Sequence, residues 1–290
     1  MTLQTALAQG AKLLNEAGVA VPRLTAEVLL AHALRQERIY LVAHANDELT
    51  ELAWIHYGRY LHEKIRGKPT QYITRRQEFY GRDFYVAPGV LIPRPETELL
   101  VEAVLNRTQP GARILDIGTG SGCIAITVAK ESDARVYTTD ISATALSIAQ
   151  RNATTHGAIV QLTRADLASA FPDQCFDIVI SNPPYIPEAD RKNLAKEVRD
   201  HEPASALFAG ADGLDIYRRL IPEALRVLKP GGLLALEFGV NQSESVTQLL
   251  SAWHAIEILP DLSQIPRIAL ALRPHRSHPP SVPSFSYDIR

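Results

Sequence analysis

The residues most able to do chemistry in this sequence are Asn182, Pro183, Pro184 and Tyr185, which follow an apolar run, Asp177–Ile180. An amine or amide nitrogen conjugated to a flat system presents two N–H donors and a weak, delocalised lone pair. The Asn182 side-chain carbonyl can accept one of those donors, and a proline backbone carbonyl the other. Two consecutive prolines restrict the backbone, so such acceptors stand in place before a substrate arrives. Tyr185 offers a ring for stacking on a flat group. The same four residues would also suit a proline-rich turn with a packed tyrosine, so their meaning rests on the company they keep.

That company is a glycine loop. Ile114–Gly122 reads ILDIGTGSG, a strand running into Gly118, Thr119, Gly120, Ser121 and Gly122, with a helical pattern after it. Alternate glycines let the chain turn sharply and approach a ligand closely. The free N–H groups of the following helix favour an anion. The spacing is not that of a dinucleotide loop, whose third glycine falls one residue later, and there is no P-loop lysine. The anion is therefore expected to be a carboxylate rather than a pyrophosphate. Asp140 ends the next strand, where an acid can hold both ribose hydroxyls of a nucleoside. It could also simply cap the helix over Ser142–Gln150. Loop and acid together describe a nucleoside with an amino-acid end, and S-adenosylmethionine fits that description.

Other polar residues carry weaker signals. Asp166 follows an apparent strand and could meet an adenine amine or cap a turn. Arg94 and Glu96 could order the segment before the core domain or form a surface pair, and Glu237 with Phe238 could be packing only. Cys123 opens a helix, which can lower a thiol pKa, but burial as a small apolar residue is the favoured reading. The nine histidines are scattered, and His275 and His278 have no acid or cysteine partners nearby in sequence, so no metal site is predicted.

These residues need a scaffold, and the patterning predicts one. Leu3, Leu7, Leu14 and Ala17 recur at helical spacing before Gly18. Pro22 opens a second helix through Ala26, Leu29, Leu30 and Ala33, and a third runs from about Glu48 to Ile65. Gln71-Tyr72-Ile73, Glu78-Phe79-Tyr80 and Phe84-Tyr85-Val86 are β-prone, with a turn at Gly81-Arg82-Asp83, which predicts a hairpin between two domains. Pro95 suits the first turn of a helix through Leu99, Leu100, Val104 and Leu105. Strands at 113–115, 135–137, 177–180 and 233–236 then alternate with helices at 124–130, 143–152 and 214–228. That order predicts a largely parallel sheet covered on both faces. The expected organisation is a helical domain over 1–70, a β-hairpin linker over 71–92, an α/β domain over 93–273 and a Pro/Ser-rich, disordered tail over 274–290. No internal repeat is visible.

The bulk composition agrees. The chain has 290 residues, 46% hydrophobic and 21% charged, with a formal net charge of −2. This lacks the strong positive field of a general nucleic-acid binder. Cys123 and Cys175 are the only cysteines, too few for a disulfide framework. No run approaches the roughly 20 apolar residues of a membrane span, and the N-terminus lacks a signal-peptide pattern. A cytoplasmic protein with no membrane partner is expected.

Beyond these local readings, the sequence resembles the methyltransferases that modify the glutamine of the Gly-Gly-Gln motif in class 1 peptide-chain release factors. The matching stretches are Gly67-Lys68-Pro69 with Gln71-Tyr72-Ile73, Glu78–Gly81, Leu91–Glu98 (LIPRPETE), the glycine loop and Asn182–Tyr185. Glu202-Pro203 with Ala206-Leu207, and Asp212-Gly213-Leu214 with Tyr217, follow. The resemblance spans about Thr2 to Pro274. It implies a Rossmann-like class I methyltransferase sheet behind a small helical domain that recognises the substrate. It implies cofactor contacts from Gly118, Thr119, Gly120, Ser121, Gly122, Asp140, Leu167 and Asn182, with S-adenosyl-L-homocysteine as product. Asn182, Pro183, Pro184 and Tyr185 would hold the glutamine amide, and Asn182, Pro183 and Tyr185 would carry the catalysis. Family members can carry an aromatic residue where Leu167 stands. The stretch Asp261–Arg267 matches only loosely, because a glycine is common at the position of Gln264. The partner implied is a class 1 release factor, with no direct nucleic-acid binding. Alternatives are methylation of an adenine or guanine amine, methylation of a ribosomal-protein glutamine by analogy with a sister family, and a non-catalytic module that kept the fold. The sister family typically continues with a serine-proline run where this chain has Pro95, Glu96, Thr97 and Glu98.

Overall fold

Local signals set most element boundaries. In the computed structural model, which describes residues 1–275, α1 (Leu3–Glu16) starts where the Thr2 hydroxyl accepts from the Thr5 amide at 3.2 Å, and its Leu3, Leu7 and Leu14 are buried. Gly18, at φ +76°, ends the segment, while Ala17 lies on the exposed side. Helix α2 (Pro22–Leu34) begins at its proline and buries the expected Ala26, Leu29, Leu30 and Ala33. A short helix, α3 (Arg38–Ala43), was not expected; six residues are too few to show a period. Helix α4 (Glu51–Ile65) starts three residues later than its pattern suggests, because the Thr50 hydroxyl caps it by accepting from Ala53 N at 3.3 Å.

The β-prone run at Gln71-Tyr72-Ile73 is a helical turn instead, α5 (Thr70–Thr74). Tertiary burial overrides the β preference here. Ile73 joins the core of the helical domain, while Tyr72 turns the other way into a cluster with Val86, Val90 and Ile148 and donates its hydroxyl to Val90 O at 2.5 Å. A strand could also send neighbours to opposite faces, but Pro69 at the helix cap and Arg75 in the left-handed region confine the segment to one turn.

A hairpin then forms from β1 (Arg76–Phe79) and β2 (Arg82–Tyr85), antiparallel with Phe79 opposite Arg82. Its turn is Tyr80-Gly81 rather than the expected Gly81-Arg82-Asp83, so Arg82 and Asp83 belong to the second strand and Val86 lies beyond it. Its two connecting residues, Tyr80 and Gly81, have φ values of 53° and 68°, the pair of left-handed conformations that a tight right-twisted hairpin requires. The hairpin is tied to the main domain. Phe79 and Phe84 are fully buried and meet edge to face at 6.1 Å. The Asn152 side chain accepts from Tyr85 N and donates both to Tyr85 O and to Ser121 O in the glycine loop.

Helix α6 (Glu96–Leu105) leads into the sheet, with Pro95 at its cap. The strands are β3 (Arg113–Ile117), β4 (Arg135–Asp140), β5 (Val160–Arg164), β6 (Phe176–Ser181), β7 (Leu228–Glu237), β8 (His254–Pro260) and β9 (Pro266–Leu272). They are ordered β5-β4-β3-β6-β7-β9-β8, with β9 alone antiparallel to the rest. Neighbouring residues on one strand enter different cores: Ile114 joins one apolar layer, Leu115 the other. Helices α7 (Cys123–Glu131) and α8 (Ala143–His156) follow β3 and β4. After β6, a 3₁₀ turn at Glu188–Asn193, α9 (Lys196–His201) and a second turn at Ala204–Ala206 form an excursion before α10 (Asp215–Val227); α11 (Ser243–Leu249) precedes β8. The excursion and strands β8 and β9 were not expected. Alternate burial in β8 is weak, and the excursion is polar. The expected tail, apart from Pro274 and His275, lies outside the described residues. Among those described, no helix is long and apolar enough to cross a membrane.

Candidate active site

The chain crosses from β3 to β4 on one side of the sheet and later returns to β6 on the other. The carboxyl ends of β3, β4 and β6 therefore border a crevice at a topological switch point, where open α/β sheets bind ligands. A cleft of about 320 Å³ lies there, lined by Gly118, Thr119, Gly120, Ser121, Asp140, Asp166, Leu167, Asn182, Pro183 and Pro184, among others. That volume suits a small-molecule site.

The three loop glycines serve different ends. Gly118 and Gly120 sit at φ 78° and 56°, and a Cβ on either would meet open space. Gly122, at φ 84°, caps α7 and is not on the cleft wall. A Cβ there would come within 2.9 Å of Ile126 Cδ1 and 3.2 Å of the Ala149 backbone, so its glycine lets α7 and α8 approach. Asp140 Oδ2 accepts from Gly120 N at 3.0 Å and Oδ1 from Ser142 N at 2.8 Å. The helix cap is Ser142, whose hydroxyl accepts from Ala145 N at 3.2 Å, so Asp140 orders the cap residue rather than capping the helix itself, and each of its oxygens keeps a lone pair toward the cleft. Below the loop, Asp116 is fully buried; Thr119 donates to its Oδ2 at 2.7 Å, while Oδ1 has no partner. Burial pushes its carboxyl up to about 7.

Leu167 lines the cleft at φ 51°, a conformation that costs a branched side chain about 1–3 kcal/mol. The surrounding loop is held by Arg226, which donates to Ala168 O at 3.0 Å and to Phe171 O at 2.7 Å. Asp166 is paired with Arg219 at 2.5 Å, and both line the cleft. Cys123 is buried, and desolvation drives its thiol up to about 12, overcoming any help from the helix start.

At the turn after β6, the Asn182 amide NH₂ donates to Thr97 Oγ1 at 3.0 Å, and Thr97 in turn donates to Glu237 Oε2 at 2.6 Å. Pro183 and Pro184 continue the cleft wall. The Tyr185 ring packs behind it, beside Gly239, and its backbone carbonyl accepts from Gln242 Nε2 at 2.9 Å. Burial raises its hydroxyl to about 12. Arg94 and Glu96 are not a pair: Arg94 binds Glu202, while Glu96 is exposed. Glu237 is more than packing through its link to Thr97, whereas Phe238 is fully buried. Thr97 and Glu202 lie in stretches that carry the family resemblance, and the sequence reads Glu237 as packing only, but none of the three has an assigned role in the site because their partners are remote in sequence. Their partners lie 85, 108 and 140 residues away in sequence. Among the described residues, no group of three or more His, Cys, Asp or Glu side chains could hold a metal ion.

The residues present fit the nucleoside amino acid expected from the sequence: an acid at the end of β4 and a glycine loop whose Gly118 and Gly120 leave open space at the cleft. Fold and site together define a Rossmann-like class I methyltransferase. A Pyrococcus furiosus methyltransferase structure has the same fold, with a TM-score of 0.53 and 18% identity, covering 75% of this chain and 98% of that one. The methyltransferase small domain family matches residues 95–202, and the PrmC N-terminal domain family matches residues 5–74. A release factor glutamine methyltransferase of Koribacter versatilis is 44% identical over 278 residues, 94% of this chain and 99% of the relative. Its counterpart in Moorella thermoacetica is 44% identical over 281 residues, again 94% and 99% of the two chains. The chain belongs to the release factor glutamine methyltransferase family.

Proposed function

We propose that this protein transfers a methyl group from S-adenosylmethionine to the side-chain amide nitrogen of the glutamine in the Gly-Gly-Gln motif of class 1 release factors, in the cytoplasm. The observation that carries this reading is the Asn182 amide, whose NH₂ is taken by Thr97 so that its oxygen is left for a donor in the cleft. The bound cofactor supplies an electrophilic methyl on a sulfonium sulfur.

An amide nitrogen is a poor nucleophile, so orientation and proximity supply much of the catalysis. Asn182 Oδ1 and a proline carbonyl accept the two N–H groups and stabilise positive charge developing on nitrogen, the mirror image of an oxyanion hole. The new N–C bond forms as the S–C bond breaks. The methylated nitrogen is then strongly acidic and gives its proton to water, so no general base is assigned. Pro183 and Pro184 keep the acceptors in place. Tyr185, packed behind them with its carbonyl held by Gln242, supports the turn rather than stacking on the substrate. Asp140 would hold the ribose, the loop from Gly118 to Ser121 would take the amino-acid end, and Leu167 would pack on adenine, while Gly122 lets α7 and α8 approach behind the loop. The helical domain docks the release factor, and a glutamine preceded by two glycines carries little bulk into the cleft.

A base amine in nucleic acid has similar geometry, but a strand-tracking enzyme needs a basic surface, and the net charge here is −2. The segment Pro95-Glu96-Thr97-Glu98 favours release factor over ribosomal protein. The test offers release factor, the same protein with its motif glutamine changed to alanine, ribosomal protein and DNA in parallel, with labelled cofactor and mass spectrometry. Methylation of intact release factor alone is expected. Equal labelling of the alanine variant, or preference for DNA, would overturn the substrate.

A further inference from the structure

A hydroxyl has one proton to give. Thr97 Oγ1 gives its proton to Glu237 Oε2, so toward Asn182 it can only accept. An amide facing an acceptor must present its NH₂, and its oxygen then points the other way. Asn182, at the cleft wall, thus has its amide polarity set by a carboxylate that is itself away from the wall: Glu237 and Thr97 are each 2% exposed, and Glu237 is absent from the cleft lining. We infer that Thr97 and Glu237 are positioning residues that hold the Asn182 amide with its oxygen toward the reacting nitrogen. This rests on the proposed role of that oxygen as an acceptor.

The arrangement depends on Glu237 being ionised. A neutral carboxyl can donate to Thr97, which frees the threonine proton for Asn182 and lets the amide turn its NH₂ into the cleft, where it would repel the substrate's own N–H groups. Burial pushes the Glu237 carboxyl up to about 7, within reach of ordinary solution conditions. The groups around it are Thr97 and the Asn182 amide, whose hydrogen bonds favour ionisation, Arg267 from β9, which also favours it, and Glu96, on α6 with Thr97, which opposes it. Arg267 is also engaged with Asp261 at 3.2 Å. Tyr185, Tyr217 and Cys123 complete the surroundings, from the turn after β6, from α10 and from α7. The Tyr217 hydroxyl goes to the Glu237 backbone carbonyl at 2.6 Å and leaves the carboxylate to Thr97 and the Asn182 amide.

The experiment compares the parent with Thr97→Val, Thr97→Ser and Glu237→Gln. It measures single-turnover methylation of release factor at saturating cofactor from pH 5.5 to 8.5, and cofactor affinity by calorimetry. Thr97→Val should lose at least tenfold in rate with cofactor affinity unchanged, and Thr97→Ser should stay within threefold of the parent. The parent rate should fall below about pH 7 with one protonation, and Glu237→Gln, which has no proton to gain, should be flat across the range. A second readout needs no substrate: the side-chain amide ¹⁵N signal of Asn182 should move with a midpoint near pH 7 in the parent and stay still in Glu237→Gln. A parent rate in Thr97→Val, equal losses in the valine and serine variants, or an Asn182 signal that titrates alike in parent and Glu237→Gln would overturn the inference. If release factor is not a substrate at all, the amide signal still decides.

Discussion

Arg94 and Glu202, 108 residues apart in sequence, are joined at the mouth of the cleft: Arg94 Nη2 donates to Glu202 Oε1 at 2.5 Å, and Glu202 Oε2 accepts from the Ile92 amide at 3.0 Å. One buried carboxylate thereby ties the segment before α6 to the excursion after β6. Glu202→Ala would strand the guanidinium and the amide together. Because Arg94 is partly open to water, the expected loss is about 1.5–3 kcal/mol of unfolding free energy, read by denaturant titration. An unchanged midpoint would show that the excursion is held by other contacts.

Asp140→Ala should weaken S-adenosylmethionine binding by about 1.5–3 kcal/mol, the scale of hydrogen bonds to a charged group. The substitution removes the ribose acceptor and also the two contacts that order Gly120 and Ser142. Calorimetry on the folded variant checks this, and an unaltered affinity would take Asp140 out of the site.

Asn182→Ala should cut single-turnover methylation by about 10²-fold or more, as expected when one preorganised group facing developing charge is lost. Cofactor affinity should change much less. Transfer at the parent rate would sink the mechanism.

The loop glycines should fail differently. Gly122→Ala places a Cβ against Ile126 and the Ala149 backbone, and overpacking of this kind costs about 1–3 kcal/mol. Its primary effect should be a lower melting temperature. Gly120→Ala meets open space, so beyond the strain of its positive φ its main effect should be on cofactor binding. Thermal melts and calorimetry on the two variants should therefore rank them in opposite order.

Asp116 predicts a pH dependence of stability. Its carboxyl lies at about 7 when folded, against 3.8 in the reference state, so between those values the folded protein holds a proton that the unfolded chain has lost. Its contribution is fully present below about pH 4 and is lost as pH rises to about 7, at a limiting slope of about 1.4 kcal/mol per pH unit. Glu237, also raised to about 7, adds a dependence of the same sign. Asp116→Asn should flatten the curve of unfolding free energy against pH between 4 and 7. A slope equal to the parent's would remove Asp116 as its source.

Much of this was legible in the residues themselves. Glycine spacing at 118, 120 and 122, an acid at the end of the next strand and the turn from Asn182 to Tyr185 are local facts. A strand–loop–helix unit places such residues at the sheet's carboxyl edge whatever the rest of the chain does. The hairpin was visible for the same reason, since its turn needs two left-handed residues and Gly81 provides one.

Tertiary structure decided the rest. Whether Gln71-Tyr72-Ile73 became strand or helix depended on two separate cores competing for Tyr72 and Ile73. Gly122 turned out to serve helix packing, which depends on Ala149 arriving from α8. The partners of Asn182 and Arg94 come from segments with no sequence relation to them: a threonine on α6, an acid ending β7 and an acid after α9. Period and spacing report contacts between neighbours along the chain. A hydrogen bond between residues a hundred positions apart leaves no periodic trace, because only the folded sheet brings its two ends together.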